Sequence, residues 1–412
     1  MIRAVKGTRD ILPPASGVWN HVETVARRIF RAYNYHEIRT PIFEETSLFA
    51  RSVGEETDIV SKEMYTFDDH GESLTLRPEN TASVIRAYIE HNLQQIPGLQ
   101  KLYYIGPMFR RERPQKGRYR QFFQIGAEAI GSESPAVDAE VIEMVAEILK
   151  ACGLDGFELL LNSVGCKDCR PVFIAKLREA LKDVAPTMCT DCQRRAVTNP
   201  LRVLDCKVPA DQPVIDALPS ILDNLDEGCQ KHLAAVKTYL EDRSIAYTMK
   251  PRLVRGLDYY TRTTFEITHG SLGAQNSVLG GGRYDGLAEL LGSKVRAPGI
   301  GFSIGEDRLV MSVEEKLPPS DAVDLFMAPM DEESFRHCAL LALEVRKNGS
   351  VVEVAAEGKL KRLLELANKL SAKYALIVGE TERIAELYTL KNMATGEQEK
   401  LSRRELIEKF HA

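Results

Sequence analysis

The chain has 412 residues, a formal net charge of −5 and a hydrophobic fraction of 44%. That length suits two or three domains, each with enough residues for a core. A net charge so close to neutrality exerts no overall attraction on nucleic acid, so any polyanion site has to be local. No apolar run is long enough to cross a membrane, and the first residues, MIRAVKGTRDILPP, lack the apolar core of a signal peptide. We therefore expect a cytoplasmic protein with no membrane partner.

The first third of the chain alternates helices with short strands. Helical spacing and strand alternation predict, in chain order, a helix over 18–35, strands over 37–43 and 64–76, a helix over 80–90, strands over 102–112 and 119–130, and a helix over 136–150. Residues 113–118 contain Pro114 and Gly117 and are typical of a hairpin loop between the two longest strands.

The middle of the chain has a different character. Cysteines concentrate between Cys166 and Cys229 among short helices, and strand character returns at Leu253. We interpret this as an insertion, at about 165–250, inside a domain that covers 1–320. After a linker over 314–323, the pattern predicts a strand over 325–329, a helix over 333–347, a strand over 350–354, a helix over 360–370 and a strand over 374–379. This strand–helix alternation predicts a small α/β domain over 321–412.

The most charged segment is FRRERPQKGRYRQFFQIGAEAIG, residues 109–131. Its first dozen residues carry six basic side chains against one acid, Glu112, and a single carboxylate, Glu128, follows much later. Strand alternation places Arg120, Gln124 and Glu128 on one face. Arginine binds phosphate at two points, so this face suits a ligand that carries both a phosphate and a positive charge. A solvent-exposed edge hairpin, with arginines paired to unrelated acids, explains the charge alone equally well.

Four other motifs carry candidate functional residues, and each has a purely structural alternative. In LRPENTAS, residues 76–83, Glu79 and Thr81 follow a strand, where Thr81 would also serve as a helix cap. In VRGLDYYTRTTFEI, residues 254–267, an arginine beside two tyrosines is equally typical of a packing cluster.

The glycine-rich stretches are LGGGRYDGL, residues 279–287, and PGIGFSIGEDRL, residues 298–309. Neither matches a phosphate-binding loop or a dinucleotide fingerprint, and glycine in a strand also marks a tight turn or a close backbone approach. Bare backbone at Gly299 and Gly301 would leave room for a flat base, with Arg308 in reach of phosphate.

Taken together, these motifs resemble the class II aminoacyl-tRNA synthetases. KGTRDILP, VRGLDYYT and LGGGRYDGL narrow the resemblance to the histidyl-tRNA synthetase family, and the motifs occur in that family's order along the whole chain. The resemblance places Pro41 in motif 1, which shapes a dimer interface, the charged hairpin in motif 2, and residues 299–308 in motif 3. Asp307 departs from the pattern, because glutamate is commoner there.

The resemblance implies an α+β fold. It consists of a class II catalytic domain built on an antiparallel sheet flanked by helices, a mainly helical insertion, and a C-terminal α/β anticodon-binding domain. It also implies a homodimer that uses ATP with Mg²⁺, L-histidine and histidine tRNA. The implied reaction forms a histidyl-adenylate with release of pyrophosphate, and then transfers the histidyl group to tRNA with release of AMP.

The resemblance further assigns the nucleotide site. Arg110 and Arg255 are the catalytic residues and contact the α-phosphate from two sides. The remaining ATP contacts are Glu112 at the adenine edge, Arg118 at the phosphates and Arg308 at the γ-phosphate.

It assigns the amino-acid and tRNA contacts in the same way. Glu79, Thr81 and Gln124 surround the ammonium group of histidine, Glu128 accepts an imidazole N–H, and Tyr260 serves the other ring nitrogen, with Tyr259 and Tyr284 in the same pocket. The tRNA acceptor end meets Arg113, Gln115, Lys116 and Arg120. Lys359, Lys361 and Arg362 form the best basic cluster of the anticodon-binding domain, and a solvated helix face explains them as well.

The cysteines raise a separate question. Cys166-x₂-Cys169 and Cys189-x₂-Cys192 are 19 residues apart, a spacing typical of a four-cysteine zinc site. The alternative is a set of buried thiols in a small helical insertion. The resemblance favours the thiols, because the family has no required metal. Cys206 and Cys229 show no ligand spacing.

Two further functional hypotheses are open to test. One is a regulatory, non-catalytic paralogue, such as the histidine-sensing subunit of a short ATP phosphoribosyltransferase. Such paralogues usually lack the anticodon-binding domain and lose residues of motif 2 or RGLDYY, whereas this chain retains both. The other is a general RNA-binding scaffold, which does not explain why Glu79, Gln124, Glu128 and Tyr260 occur together.

Overall fold

The structure is a computed structural model that describes residues 2–54, 57–115, 117–273, 276–317, 322–356 and 358–411. The chain forms two compact units. The first comprises the residues up to Asp10 and Trp19–Lys316, and the second comprises Ile11–Val18 and the residues from Leu317 onward. The predicted boundary between 320 and 321 lies outside the described residues and stays a prediction.

Helices and strands alternate along the chain as far as Lys316. In order, they are α1 Ala15–Ala32, β1 His36–Glu37, β2 Phe43–Glu45, α2 Thr46–Val53, β3 Tyr65–Asp69, β4 Glu72–Leu76, α3 Thr81–Glu90, β5 Gln100–Phe109, β6 Gln121–Ile130, α4 Pro135–Ala151, β7 Glu158–Ser163, α5 Cys169–Leu181, α6 Thr190–Thr198, α7 Gln212–Asp216, α8 Glu227–Asp242, β8 Thr248–Met249, β9 Thr261–Thr268, β10 Ser277–Arg283, α9 Leu287–Leu290, β11 Gly299–Gly305 and α10 Glu306–Val313.

Most of these strands form one large sheet. Among the described residues it has eight strands in the order β1-β5-β6-β11-β10-β9-β7-β8, with parallel pairs only at the two edges. On β6, Glu128 lies opposite Gly301 of β11, and Gln124 lies between Gly305 of β11 and Gly106 of β5. The two polar side chains therefore occupy the middle of the sheet with bare backbone beside them.

Helices cover both faces of this sheet. On one face, Phe30 of α1 stacks on Tyr103 of β5 with a centroid distance of 4.5 Å and lies 6.4 Å from Phe302 of β11. On the other face, buried residues of α3 pack in one core with Tyr104 and Tyr284. An antiparallel sheet flanked by helices confirms the expected catalytic fold.

The two segments predicted as short strands each contain two strands. The segment over 64–76 is a hairpin, β3 and β4, because His70 and Gly71 adopt positive φ angles of 53° and 92° and turn the chain. The segment over 37–43 is strand only at its ends, in β1 and β2. Together β2, β4 and β3 form a separate three-stranded sheet among the described residues.

The segment between β7 and β8 is helical, as expected for the insertion. It contains α5 to α8 with short 3₁₀ turns between them, and it has its own core, which includes Cys169, Cys192, Cys206 and Cys229. Its helices range from 5 residues in α7 to 16 residues in α8.

The second unit is a sheet with helices in alternation. Its elements are β12 Leu325–Pro329, α11 Glu332–Lys347, β13 Val352–Val354, α12 Leu360–Lys369, β14 Tyr374–Val378, α13 Glu380–Ala385, β15 Leu387–Asn392, β16 Gln398–Ser402 and α14 Arg403–Lys409. The strand order is β13-β12-β14-β15-β16, with parallel pairing in the first three strands and antiparallel pairing after them. The predicted α/β domain is confirmed, although its final hairpin was missed.

Among the described residues, no helix combines the length and the hydropathy that a bilayer crossing requires.

Candidate active site

The centre of the site is the carboxylate of Glu128 on β6. This side chain is 0% exposed and accepts hydrogen bonds from the hydroxyls of Thr81 at 2.8 Å and Tyr284 at 2.7 Å. Burial raises the pKa of Glu128 to about 8, although the two hydroxyl bonds act in the opposite direction. A Cβ at Gly301 would come within 1.8 Å of the carboxylate, so the neighbouring strand has to be bare at that point.

Glu79 caps the helix that lines the site. Its carboxylate accepts the backbone N–H groups of Thr81 at 2.7 Å and Ala82 at 3.0 Å, at the start of α3. The Tyr259 hydroxyl lies 3.5 Å away. The alternative with Thr81 as the helix cap is wrong, because Glu79 accepts the first N–H groups of α3 and the Thr81 hydroxyl binds Glu128. Burial raises the pKa of Glu79, against the effect of these backbone bonds.

Aromatic rings enclose the two carboxylates. The ring of Tyr259 lies 4.8 Å from that of Tyr260 and 6.1 Å from that of Tyr284, and all three side chains are buried. Gln124 is buried too, and its Oε1 has no hydrogen-bond partner among the described residues. An unpaired buried carbonyl oxygen is an acceptor available to a ligand N–H. These contacts thus link six of the residues predicted to bind histidine, and Gln124 lies on the same strand as Glu128.

The arginines of the charged hairpin share an acid. Glu112 lies 3.1 Å from a guanidinium nitrogen of Arg118 and 3.9 Å from one of Arg110. Arg110 also donates to the carbonyl of Pro78 at 2.9 Å and lies over the ring of Phe122 at 5.3 Å. These contacts orient both cations before any ligand is bound.

Arg255 lies over β10. A Cβ at Gly280 would come within 1.8 Å of its guanidinium, so glycine at that position creates the space for the arginine. Its Nη1 donates to Glu266 of β9 at 2.8 Å, and its guanidinium lies 5.8 Å from the ring centre of Tyr260. Sequence reasoning missed Glu266, although strand alternation on β9 placed it on a definite face.

Arg308, the predicted γ-phosphate contact, lies in the first turn of α10. Its Nη1 donates to the carbonyl of Ser277 at 2.6 Å. Burial, and after it the charge of Arg118, lowers the pKa of Arg308, while Glu112 and Glu266 act to raise it. The charges of motif 2 and motif 3 are therefore close enough to influence one another.

The hairpin loop projects from this cluster. Gln115 and Arg118 pair through their backbones, with N–O distances of 3.2 Å and 2.9 Å, and the side chains of Arg113 and Gln115 are exposed. Lys116, which was predicted to contact tRNA, lies outside the described residues.

Arg120 differs from the other predicted loop contacts. Its backbone N–H donates to the carbonyl of Gly7 at 2.7 Å, and its guanidinium donates to the carbonyl of Lys6 at 3.3 Å. It therefore fastens the N-terminal KGTRD segment to the base of the hairpin, and its predicted tRNA contact stays a prediction.

The same segment reaches motif 3. Arg9 donates to Asp307 at 2.7 Å and stacks on the ring of Tyr119 at 4.2 Å, while the other oxygen of Asp307 accepts the backbone N–H of Phe123 at 3.0 Å. Asp307, the departure from the family pattern, thus joins three segments of the site. Sequence reasoning missed this brace, because its two ends are 298 positions apart.

Sequence reasoning also missed two buried arginines, Arg77 and Arg283. Arg77 donates to the carbonyl of Pro107 and to both oxygens of Thr40, which holds motif 1 against β5. Arg283 is 0% exposed and pairs with the buried Asp138, whose other oxygen binds His232 of the insertion at 2.8 Å. Both networks hold the scaffold together.

The four cysteines of the possible zinc site, which the resemblance did not favour, do not form one group among the described residues. The structure divides the four residues between two clusters, in each of which the ligand atoms lie within 4.8 Å of one another. One cluster is Cys166, Cys169, Asp226 and Cys229, and the other is Cys189, Cys192, Cys206 and Asp211. The spacing alone does not indicate this division, because the completing ligands come from distant turns, with Asp226 60 positions after Cys166.

Known proteins resemble this chain over its full length. The histidyl-tRNA synthetase family profile matches residues 7–309, and an anticodon-binding domain profile matches residues 310–412. The histidine--tRNA ligase of Solibacter usitatus is 71% identical over 100% of this chain and 99% of its own length. That of Koribacter versatilis is 57% identical over 98% of this chain and 95% of its own length.

A solved structure extends the likeness to three dimensions. The apo histidyl-tRNA synthetase of S. aureus, 40% identical, matches with a TM-score of 0.83 over 100% of both chains. Sequence and fold agree, and this chain belongs to the histidyl-tRNA synthetase family.

Proposed function

We propose that this chain is an enzyme that ligates L-histidine to its cognate tRNA at the expense of ATP. The reaction passes through a histidyl-adenylate and releases pyrophosphate and AMP. The observation that supports it most is the buried carboxylate of Glu128, on the strand that follows the arginine-rich hairpin loop. Two hydroxyls donate hydrogen bonds to this carboxylate, and buried tyrosines lie around it. Acceptors for an imidazole and cations for a triphosphate are thereby combined in one site.

Recognition of histidine rests on paired polar groups. Glu128 accepts one imidazole N–H and Tyr260 serves the other ring nitrogen, while Tyr259 and Tyr284 form the walls. The ammonium group is bound by Glu79, Thr81 and Gln124, and the unpaired Oε1 of Gln124 supports this role. An apolar analogue would leave these buried groups without partners, so the site rejects it strongly.

Activation needs no protein nucleophile. The histidine carboxylate attacks the α-phosphorus of ATP, a P–O bond forms, and the bond to the leaving pyrophosphate breaks. Arg110 and Arg255 stabilise the charge that develops on the α-phosphate oxygens, because both guanidiniums are already oriented by Glu112 and Glu266.

The remaining ATP contacts follow from the same cluster. Arg308 binds the γ-phosphate and Arg118 binds the neighbouring phosphates. Glu112 binds the adenine edge after the phosphates of ATP have replaced it as the partner of Arg110 and Arg118. Mg²⁺ held together with ATP would supply positive charge that stabilises the leaving pyrophosphate. Glu266, beside Arg255, offers the carboxylate oxygens that this ion prefers.

Transfer to tRNA uses the hairpin loop and the second unit. The terminal ribose hydroxyl attacks the adenylate while Arg113, Gln115 and Lys116 hold the acceptor end, and Arg120 steadies the base of the loop. The second unit binds the anticodon, and its exposed cluster of Lys359, Lys361 and Arg362 at the start of α12 is the best candidate contact. Phosphate contacts of this kind make binding sensitive to salt.

The proposal includes a homodimer located in the cytoplasm, where tRNA is charged. Motif 1, with Pro41, is the element expected at the dimer interface. Its neighbours Ile42 and Phe43 are 45% and 52% exposed in the single chain, which supports a partner there.

Histidine-dependent exchange of pyrophosphate into ATP tests the proposal. We expect exchange with histidine alone among the amino acids. The Glu128→Ala variant should have a much higher KM for histidine and an unchanged KM for ATP. The control Glu289→Ala, at an exposed glutamate, should behave as the wild type.

Other results would contradict the proposal. Histidine binding without any exchange would favour the regulatory paralogue. Absence of exchange with every amino acid would overturn the enzymatic assignment, and unchanged histidine affinity in Glu128→Ala would remove Glu128 from the pocket.

A further inference from the structure

We propose that the helical insertion holds two structural zinc ions, each bound by three cysteine thiolates and one aspartate. Site 1 consists of Cys166, Cys169, Asp226 and Cys229, and site 2 consists of Cys189, Cys192, Cys206 and Asp211.

The sulfur separations in site 1 fit a metal and exclude a disulfide. Cys169 Sγ lies 3.7 Å from Cys166 Sγ and 3.9 Å from Cys229 Sγ. A disulfide requires about 2.05 Å between sulfurs. A tetrahedral zinc ion with Zn–S bonds of about 2.3 Å separates its thiolates by about 3.8 Å. The carboxylate of Asp226, 2.8 Å from Cys166 Sγ, has to move slightly outward to become the fourth ligand.

The backbone of site 1 already supports thiolates. The N–H of Cys166 donates to Cys169 Sγ at 3.1 Å, and the N–H of Asp168 donates to Cys166 Sγ at 3.3 Å. Gly165 has a φ of +69°, and a Cβ there would come within 2.7 Å of Cys169 Sγ. Such N–H donors stabilise negative sulfur, and they orient the ligands before a metal binds.

Site 2 repeats this arrangement. Cys206 Sγ lies 3.9 Å from Cys189 Sγ and 3.3 Å from an oxygen of Asp211. The N–H of Cys189 donates to both oxygens of Asp211 at 3.2 Å, and the N–H of Val208 donates to Cys206 Sγ at 3.4 Å. Two clusters of the same composition in one small segment indicate the same ligand. Three thiolates select zinc over magnesium or calcium, which prefer oxygen.

Such cross-links would join parts of the insertion that lie far apart in the chain. Its core includes Cys169, Cys192, Cys206 and Cys229 among the buried residues, and α7 has only 5 residues. A bound metal stabilises the fold that brings its ligands together. Site 1 joins the start of α5 to the start of α8, and site 2 joins the start of α6 to the turn over 206–211.

Site 1 is also connected to the histidine pocket. Arg170, the residue after Cys169, donates to the carbonyls of Val164 at 3.0 Å and Gly165 at 3.3 Å, and it also hydrogen-bonds the carbonyl of Tyr260. Loss of the metal from site 1 therefore frees Arg170 and, through it, the main chain of Tyr260. Arg170 is a positioning residue, and the histidine KM is the readout that it should change.

Metal analysis of the full-length protein, purified without a chelator or a metal-affinity tag, tests the assignment. We expect about two zinc ions per chain in the wild type and about one in each of Cys169→Ser and Cys206→Ser. Cys152→Ser and Cys338→Ser change buried cysteines outside both clusters and should leave the zinc content unchanged. The histidine KM in pyrophosphate exchange should rise several-fold in Cys169→Ser and stay near the wild-type value in Cys206→Ser.

A second measurement covers the case in which the serine variants fail to fold. The wild type reloaded with Co²⁺ should show the sulfur-to-cobalt absorption of tetrahedral thiolate sites, and the band should weaken in Asp226→Asn, whose side chain has the same shape. A wild type that contains no zinc and takes up neither zinc nor cobalt would overturn the proposal. One zinc per chain, lost in both serine variants, would contradict two separate sites.

Discussion

At the scale of single residues, Glu128 shows how the fold adjusts an acid for its ligand. Its pKa is about 8 in the folded protein against an ordinary value of 4.5. The folded state therefore binds more protons than the unfolded state between these values. The stability contributed by Glu128 is fully present below pH 4.5 and is lost as the pH rises through about 8. Ionisation of Glu128 in the ligand-free site therefore lowers the free energy of unfolding. The ionised carboxylate is nevertheless the form that accepts an imidazole N–H.

This shift predicts a pH dependence of histidine binding. Between pH 7 and about 8.5 free imidazole is already neutral, since its pKa is about 6.5. Ionisation of Glu128 over the same range should therefore lower the histidine KM in pyrophosphate exchange as the pH rises. In Glu128→Gln no group ionises at that position, so the KM should be higher and flat over the range. Parallel profiles for the two proteins would show that another group controls binding.

At the scale of elements, glycines in two neighbouring strands determine where long side chains can lie. Gly301 on β11 makes room for Glu128, and Gly280 on β10 makes room for Arg255. Both positions belong to glycine-rich motifs for which the structural alternatives were a tight turn or a strand with a close backbone approach. They are strand residues, and the space of the missing Cβ is occupied by a side chain from elsewhere.

The glycine at 280 gives a sharp test. In Gly280→Ala the new methyl group collides with the Arg255 guanidinium, which is the movable end of a flexible side chain. The variant should therefore fold, keep its thermal stability within a few degrees, and lose exchange activity by about 10²-fold or more, as after removal of one transition-state donor. The matched control is Gly286→Ala in the same motif, where the added Cβ meets nothing within 4 Å. Full activity in Gly280→Ala would show that the position of Arg255 is not critical.

Elements were easier to predict than the contacts between them. Periodicity predicted α1, α3, the β5–β6 hairpin and the β12–β14 core within a few residues, because amphipathic patterns are local. Strand alternation assigned Gln124 and Glu128 to one face, and it could not supply the register that brings Tyr284 onto Glu128. Pairs such as Arg9 with Asp307, or Cys166 with Asp226, are brought together only by the closed fold.

At the scale of the whole molecule, the described chain leaves one apolar surface exposed beside motif 1. The side chains of Phe43 on β2 and Phe67 on β3 are 52% and 44% exposed, and their ring centres are 6.5 Å apart. They lie on the three-stranded sheet, next to the exposed Ile42 and to Pro41. Exposed aromatic pairs beside a predicted interface are the residues expected to anchor it.

The proposed dimer can be tested on this surface. We expect the wild type to sediment as a species of twice the chain mass, and the double variant Phe43→Glu, Phe67→Glu to sediment as a monomer, because two buried charges facing their symmetry mates repel across the interface. Val197→Glu adds a charge at a residue of α6 that is 76% exposed, and it should stay dimeric. A dimeric double variant would place the interface elsewhere, whereas a monomeric wild type would overturn the homodimer itself.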